Sequence, residues 1–318
     1  MDAARFEHEC RVLLAPEQIR AGAPMAPLTT FHVGGPADWL IEPATEDALR
    51  GVIGAAHRAG VPVTMIGGGS NVLVPDAGIR GAVIRPSLRQ ITAPRPGVVR
   101  AEAGVTINGL VRWTISRGLA GVQAWAGTPG TVGGAIAGNA HFKGRDIGDL
   151  VEAVGLLDRQ GGFRSVPRAG MEFAYDTSRI KRTGEIVVWA EFAVGRGEVD
   201  ALRAEARASL AFRKGTQPLS LASAGCIFQN PDRERDRVPE GIPASAGALV
   251  DRAGLKGVAV GGARISPLHA NFIVNEGAAT SADVKALIER ARRQVREQFG
   301  VELKDEIALL GEWDDTHG

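Results

Sequence analysis

Two glycine-rich stretches carry the clearest chemical signal. The first, Ile66-Gly67-Gly68-Gly69-Ser70-Asn71-Val72-Leu73-Val74, runs from an apolar segment into three bare residues and two polar ones. Consecutive glycines expose successive backbone N–H groups, which cradle an anion as a nest. Ser70 and Asn71 add side-chain donors. The pattern suits a pyrophosphate. It is not the dinucleotide fingerprint, because the spacing is not G-x-G-x-x-G and Val72-Leu73-Val74 before Pro75 favours extended chain over helix. The second stretch, residues 127–140, reads Gly127-Thr128-Pro129-Gly130-Thr131-Val132-Gly133-Gly134-Ala135-Ile136-Ala137-Gly138-Asn139-Ala140. With almost no side-chain bulk, it lets a flat ring lie against backbone. Each stretch has a plainer reading: a mobile hairpin turn for the first, a small-residue helix packed on a sheet for the second. Together they point to a nucleotide with a second flat ring, and a flavin dinucleotide fits best.

The elements that must position these loops follow from pattern and punctuation. Residues 45–59 read as a helix capped by Thr45, with Leu49, Val52, Ile53 and Ala56 on one face and Gly60 as a stop. Val61–Ile66 reads as a buried strand leading into the first glycine loop. Residues 82–84, 98–103, 151–157 and 186–194 are further strands, the last rich in β formers. Thr106 caps a second helix that Gly118 ends. Residues 199–214 form a helix rich in Ala and Arg, and a turn-rich region follows to Gly247. The longest helix is 282–299, capped by Ser281 and closed by Gly300, with Val284, Leu287, Ile288, Ala291, Val295 and Phe299 on one stripe. Its basic face, Arg290, Arg292, Arg293 and Arg296, reads as solvated surface because Glu289 and Glu297 interleave. A domain boundary is expected near 200–215.

Composition narrows the class. Lys and Arg number 37 against 36 Asp and Glu, a net charge of +1 that argues against a dedicated nucleic-acid binder. At 44% hydrophobic and 23% charged residues, the 318-residue chain is ordinary for globular protein of about two domains, which excludes disorder as its main state. Cys10 and Cys226 are too few for a disulfide framework and fit a reducing cytoplasm. No apolar leader and no run long enough to span a bilayer are read in the sequence, so a cytoplasmic protein is expected.

The two glycine loops, in this order, resemble the FAD-binding half of vanillyl-alcohol-oxidase-type flavoproteins. Four further motifs are similar to those of the UDP-N-acetylenolpyruvoylglucosamine reductase family: Thr29-Thr30-Phe31-His32-Val33-Gly34-Gly35-Pro36-Ala37, Ser223-Ala224-Gly225-Cys226-Ile227-Phe228-Gln229-Asn230-Pro231, His269-Ala270-Asn271-Phe272-Ile273-Val274-Asn275 and Lys304-Asp305-Glu306-Ile307. The resemblance spans about Leu28 to Gly311. It is closer to the short form, since Tyr175 is the one tyrosine of the chain. It implies an α+β fold: a two-part FAD-binding domain of vanillyl-alcohol-oxidase type (1–85 and 86–212), a C-terminal α+β substrate-binding domain (213–303) and a segment (304–318) returning to the flavin.

The resemblance also implies chemistry. NADPH reduces bound FAD, held without a covalent bond, and the flavin reduces the enolpyruvyl ether of a UDP-sugar in peptidoglycan precursor synthesis. The enolate that results must be stabilised and protonated. Cys226 stands where the family has a serine proton donor, and a thiol gives up a proton more readily than an alcohol. Glu306 is expected to assist protonation. The family's Tyr-Arg-x-Ser stretch reads Tyr175-Asp176-Thr177-Ser178-Arg179, so Asp176 replaces the arginine that faces the substrate carboxylate, and Arg179 is the substitute cation. Gly67, Gly68, Gly69, Ser70, Asn71, Gly127, Thr128, Gly130, Gly133, Gly134, Gly138 and Ile186 are expected at the cofactor. Arg213, Lys214, Asn230 and His269 are expected at the UDP-sugar, Arg213 and Lys214 on its diphosphate. No metal, nucleic acid or membrane partner is implied, and a monomer is expected. Two alternatives stay open: an oxidase of the same superfamily with flavin attached through His141, and a flavin-binding module without turnover, suggested by Asp176.

Overall fold

The structure, a computed structural model, describes residues 1–313. Among them eight α-helices follow in chain order: α1 Ala3–Leu13, α2 Glu46–Ala59, α3 Ile107–Ile115, α4 Val132–Ala137, α5 Arg179–Thr183, α6 Val199–Thr216, α7 Ala246–Arg252 and α8 Ser281–Phe299. The chain divides into two compact units. Met1–Ala23, Ala37–Gly68 and Arg80–Phe212 make the first; Pro24–Pro36, Gly69–Ile79 and Arg213–Gly318 make the second. The ranges 1–85 and 86–212 read from the sequence thus share one unit apart from two excursions, 24–36 and 69–79. Residues 304–313 belong to the second unit, and the last five of the 304–318 segment lie outside the described residues.

The first unit holds two sheets. Its four-stranded sheet runs Ile19–Pro24, Pro36–Ile41, Ile79–Ile84, Val63–Met65, the last two parallel. Helix α2 forms because Thr45 accepts the Ala48 N–H and Gly60, at φ 62°, closes the other end, each cap being worth about 1 kcal/mol or less. Its apolar face buries Leu49, Val52 and Ile53 with Phe6, Cys10 and Trp39, at roughly 1.5–3 kcal/mol for each large side chain. The five-stranded sheet runs Phe163–Pro167, Val151–Leu157, Ile186–Ala193, Val98–Glu102, Ile91–Arg95, all antiparallel. Helices α3 and α4 bury Leu110, Val111, Val132 and Ile136 in its core. Helix α3 is capped by Thr106 as expected but ends at Ile115, with Ser116 as its C-cap rather than running to Gly118.

Two carboxylates are buried along the Ile186–Ala193 strand and the turn before it. Glu191, 5% exposed, accepts from Arg95 and Arg100, and Arg100 lies 4.0 Å over the Trp189 ring. Glu185, also 5% exposed, accepts from Arg164, Arg179 and Thr183. Burial alone would raise both acids, but the hydrogen bonds and charges of these partners hold them below the usual glutamate range.

The second unit packs α7 and α8 with a three-stranded sheet, Ala259–Val260, Ala263–Ile265 and Ile273–Asn275, around Phe228, Leu249, Val284, Leu287 and Val295. The two excursions are stitched into it. Asn275 donates to the Phe31 carbonyl at 2.8 Å, and the Asp76 carboxylate accepts the Ser281 and Ala282 N–H groups. The capping expectation for α8 is corrected. Thr280 is its N-cap and forms a reciprocal pair with Asp283, while Ser281 is fully buried and donates its hydroxyl to the Val74 carbonyl. Residues Val72–Leu73 pair in parallel with Ala308–Leu309, so the extended chain read after the first glycine loop is a short strand.

Candidate active site

The first glycine loop is built to leave donors open. Gly69 sits at φ 63°, and a Cβ there would stand 1.9 Å from the Leu28 carbonyl oxygen, so only glycine fits. Its own carbonyl accepts the Thr30 N–H at 2.9 Å. The N–H groups of Gly67, Gly68, Gly69 and Ser70 donate to no acceptor among the described residues. Within the first unit, a Cβ on Gly67 would lie 2.5 Å from Thr131 Oγ1 and one on Gly68 would lie 2.7 Å from Gly130 Cα. Thr131 Oγ1 is buried without a hydrogen-bond partner among the described residues. Two bare turns, open N–H groups and an orphaned hydroxyl fit the phosphates of a dinucleotide, whose oxygens would satisfy them.

Not every residue of the second stretch faces outward. Gly127 N–H donates to Asn108 Oδ1, Thr128 N–H to Trp125 O, Gly133 N–H to Ala103 O and Gly138 N–H to Gly134 O. A Cβ on Gly133 would meet Ala103 Cβ at 3.1 Å, so its smallness serves the packing of α4 on the sheet. Gly134 is exposed on that short helix. The small-residue helix is therefore real, and these backbone N–H groups are corrected from ligand donors to internal ones. The Ile186 side chain is 4% exposed and packs in the core around α2.

The turn that replaces the anticipated arginine is self-neutralised. Asp176 is 4% exposed at φ 51°, and its Oδ2 lies 3.0 Å from Lys181 Nζ. Ser178 anchors the turn through Oγ to the Ala137 carbonyl at 2.9 Å. The expectation for Arg179 is corrected: its Nε pairs with Glu185 at 2.9 Å and its Nη1 donates to the Gly170 carbonyl. Its Nε and Nη1 are both engaged within the first unit, and Glu185 is shared with Arg164. His141 is partly buried, its ring 4.8 Å from that of Tyr175.

In the second unit the polar side chains converge on Cys226. The Cys226 loop is held like a strand against residues 271–272. Ile227 N–H donates to Asn271 O, and the Asn271 side chain both accepts Phe228 N–H at 3.0 Å and donates to Phe228 O at 2.8 Å. Burial pushes the Cys226 thiol up to about 12, with the Glu306 carboxylate pushing the same way; a hydrogen bond with Asn271 and the charge of Arg213 pull against them. Arg213, in the last turn of α6 and 6% exposed, is brought down to about 10 by burial, the Cys226 charge opposing. Glu306 is half-buried; its N–H donates to Ile227 O at 2.8 Å and its carbonyl accepts from Asn71 Nδ2 at 3.0 Å.

The remaining expected residues lie further round the same unit. Asn230 is exposed and its Oδ1 accepts the Ala246 N–H at the start of α7. Lys214 is exposed. The His269 ring packs edge-on to Phe272 at 4.8 Å. Its Nδ1 accepts the Asn271 N–H, so the neutral ring carries its proton on Nε2, and burial lowers its pKa. Asn271, inside the His269–Asn275 motif, is not among the residues expected at the site, yet its side chain holds the Cys226 loop. Among the described residues no group of three His, Cys, Asp or Glu side chains is placed to hold a metal, and no helix is long and apolar enough to cross a membrane.

Residues 37–166 match the family described as FAD binding domain, and residues 217–310 match that of the UDP-N-acetylenolpyruvoylglucosamine reductase C-terminal domain. The UDP-N-acetylenolpyruvoylglucosamine reductase of Heliobacterium modesticaldum is 40% identical over 293 residues, covering 91% of this chain and 90% of that protein. That of Anaeromyxobacter dehalogenans is 41% identical over 293 residues, covering 92% and 85%. The crystal structure of UDP-N-acetylenolpyruvylglucosamine reductase from Thermus caldophilus superposes with a TM-score of 0.75 at 32% identity, covering 92% of this chain and 98% of that one. Alkyldihydroxyacetonephosphate synthase, at 18% identity and a TM-score of 0.50 over 62% of this chain, shares the fold.

Proposed function

This chain belongs to the UDP-N-acetylenolpyruvoylglucosamine reductase family, and from that premise we propose how its own residues carry out the family's reaction. It is an FAD-containing oxidoreductase that uses NADPH to reduce UDP-N-acetylglucosamine enolpyruvate to UDP-N-acetylmuramate in peptidoglycan precursor synthesis. Its fold is α+β, a vanillyl-alcohol-oxidase-type FAD-binding part with a C-terminal substrate-binding domain. The two alternatives left open by the sequence, an oxidase and a module without turnover, give way to this membership.

FAD supplies the two-electron relay between NADPH and the enolpyruvyl double bond. Gly67, Gly68, Gly130 and Thr131 hold its diphosphate in our reading, supported by the open N–H groups and the orphaned Thr131 hydroxyl. When the terminal carbon of the enolpyruvyl group gains a hydride, the neighbouring carbon is left with charge delocalised into the carboxylate. A proton must then reach that neighbouring carbon.

Cys226 donates it. The observation that carries this assignment is that Asn271 and Glu306 are both hydrogen-bonded to the loop next to Cys226, at Ile227 and Phe228, with the charge of Arg213 acting on the same thiol. Burial and Glu306 keep the sulfur protonated at neutral pH, so the proton is in place when charge develops. Once it has left, Arg213 and the Asn271 hydrogen bond stabilise the thiolate. We assign to Arg213 the further task of facing the substrate carboxylate, since Arg179 is held by Glu185 and Lys181 by Asp176. Lys214, Asn230 and the Nε2–H of His269 are assigned to the UDP-sugar. We place the enzyme in the cytoplasm, supported by its two free thiols, and assign it a monomeric state with non-covalent FAD.

Turnover in D2O tests the proton's route. Deuterium is expected at the carbon beside the carboxylate and not at the terminal carbon, with the Cys226→Ala chain failing to form product. Product formed at the normal rate by Cys226→Ala would remove the thiol from the reaction.

A further inference from the structure

Asn71 is expected at the cofactor, and its carboxamide N–H is also engaged within the second unit. Nδ2 donates to the Glu306 carbonyl at 3.0 Å. The same residue's carbonyl accepts Ala308 N–H at 3.0 Å, and Leu73 O accepts Leu310 N–H at 3.0 Å. On its other side Glu306 donates its N–H to Ile227 O, next to Cys226. Its neighbour Asp305 pairs with Arg292 at 2.6 Å and bridges to Phe228. Both peptide groups of Glu306 are therefore fixed, one by the glycine-loop side chain and one by the Cys226 loop. All of these residues belong to the second unit.

We infer that Asn71 is a positioning residue for Glu306, which makes the phosphate loop set the place of the carboxylate beside Cys226. This rests on the role proposed above for Glu306. The bond is a side-chain clamp added to a strand pair that stands without it, because the Ala308 and Leu310 bonds run between backbones. Removing the carboxamide leaves the strand and the glycine nest intact but frees the Glu306 carbonyl. A carboxylate displaced by about 1 Å costs on the order of a hundredfold in a step that depends on its geometry.

The experiment uses FAD-loaded enzyme carrying Asn71→Ala or Asn71→Ser, Glu306→Gln, and each pair combined. Three readouts are followed: flavin bleaching by NADPH, its recovery with UDP-N-acetylglucosamine enolpyruvate, and amide hydrogen exchange across residues 304–310 in the FAD-free chain. The expected result is bleaching within about twofold of wild type, recovery slowed about ten- to a hundredfold, and faster exchange at 304–310. The combined variants recover no more slowly than Glu306→Gln alone, because neighbours acting through one group are not additive. Loss of FAD with normal recovery in the loaded fraction would overturn the inference and make Asn71 a cofactor ligand. So would effects that multiply in the combined variants, or unchanged exchange. Wild-type recovery in Glu306→Gln would instead remove the role of Glu306 itself, while slow Glu306→Gln with normal Asn71 variants removes only the clamp.

Discussion

Asp176 and Lys181 form an ion pair, Oδ2 to Nζ at 3.0 Å, in the turn where an arginine was anticipated. The aspartate is buried and the lysine half-exposed, so the turn presents compensated charge and does not repel a carboxylate. It offers none to bind one either. Arg179, three positions on, is held by Glu185. The cation proposed to face the substrate comes instead from another element: Arg213, buried at the end of α6.

Two substitutions separate these arginines. Arg213→Met, which keeps most of the apolar stem, is expected to slow flavin recovery with the enolpyruvyl substrate by about a hundredfold or more, as for loss of one charged stabiliser of a transition state. Arg179→Ala is expected to leave that step within about twofold and to lower stability by about 1–3 kcal/mol, because the buried Glu185 loses a partner. Single-turnover rates and thermal melts check the pair. The opposite pattern, a slow Arg179→Ala with a normal Arg213→Met, would return the carboxylate to Arg179.

The glycine cradle has its own test. In Gly68→Ala the new methyl would stand 2.7 Å from Gly130 Cα, so the two turns must part. Retention of FAD through gel filtration is expected to fall at least about tenfold, the equivalent of about 1.4 kcal/mol, while the far-UV spectrum stays native. Gly215→Ala, where a Cβ meets nothing within 4 Å, is the control and should retain cofactor. Equal retention in both chains would mean that the bare turns serve folding alone.

What the sequence made legible was local. Thr45 and Gly60 bracket α2 because capping chemistry acts within three or four residues. Ser281 misled because its hydroxyl is claimed by Val74, some two hundred positions away, leaving Thr280 to cap α8. Arg179 misled for a related reason: α5 and the left-handed Gly184 turn the chain back so that Glu185 meets it. The clamp between Asn71 and Glu306 and the hold of Asn271 on the Cys226 loop each join remote segments, and no periodicity announces them. The motifs pointed to the family, whereas the partners within them needed the fold.

Stability should fall on the acid side through Glu185 and Glu191. Their folded pKa values are depressed below about 4.5 by arginine and threonine partners. A depressed acid contributes stability that is fully present above its unfolded value and lost as pH falls through its folded one. Urea midpoints are therefore expected to hold steady above about pH 5 and to drop progressively below about 4.5. Glu191→Gln should flatten part of that drop. An unchanged acid limb in Glu191→Gln would show that its arginine pairs contribute nothing measurable.

On the alkaline side the buried Cys10 thiol matters. Burial first, then the nearby Glu9 and Glu7 charges, push it up to about 12 from 9.0. The unfolded chain loses its thiol proton before the folded one, so stability is expected to decline from about pH 9 towards 12. Cys10→Ala should flatten that decline at a cost of about 1 kcal/mol at neutral pH from lost packing. In native enzyme at pH 8, iodoacetamide should modify Cys10 only as fast as the chain opens. Rapid labelling of Cys10 without unfolding would contradict its burial.

The central claim is that Cys226 supplies the proton and takes no part in the entry of electrons. Anaerobic rapid mixing of FAD-loaded Cys226→Ala addresses it directly. NADPH should bleach the flavin at close to the wild-type rate, and addition of UDP-N-acetylglucosamine enolpyruvate should fail to restore the colour, whereas Cys226→Ser should restore it. Recovery of colour by Cys226→Ala at the wild-type rate, with UDP-N-acetylmuramate formed, would show that the proton comes from another group.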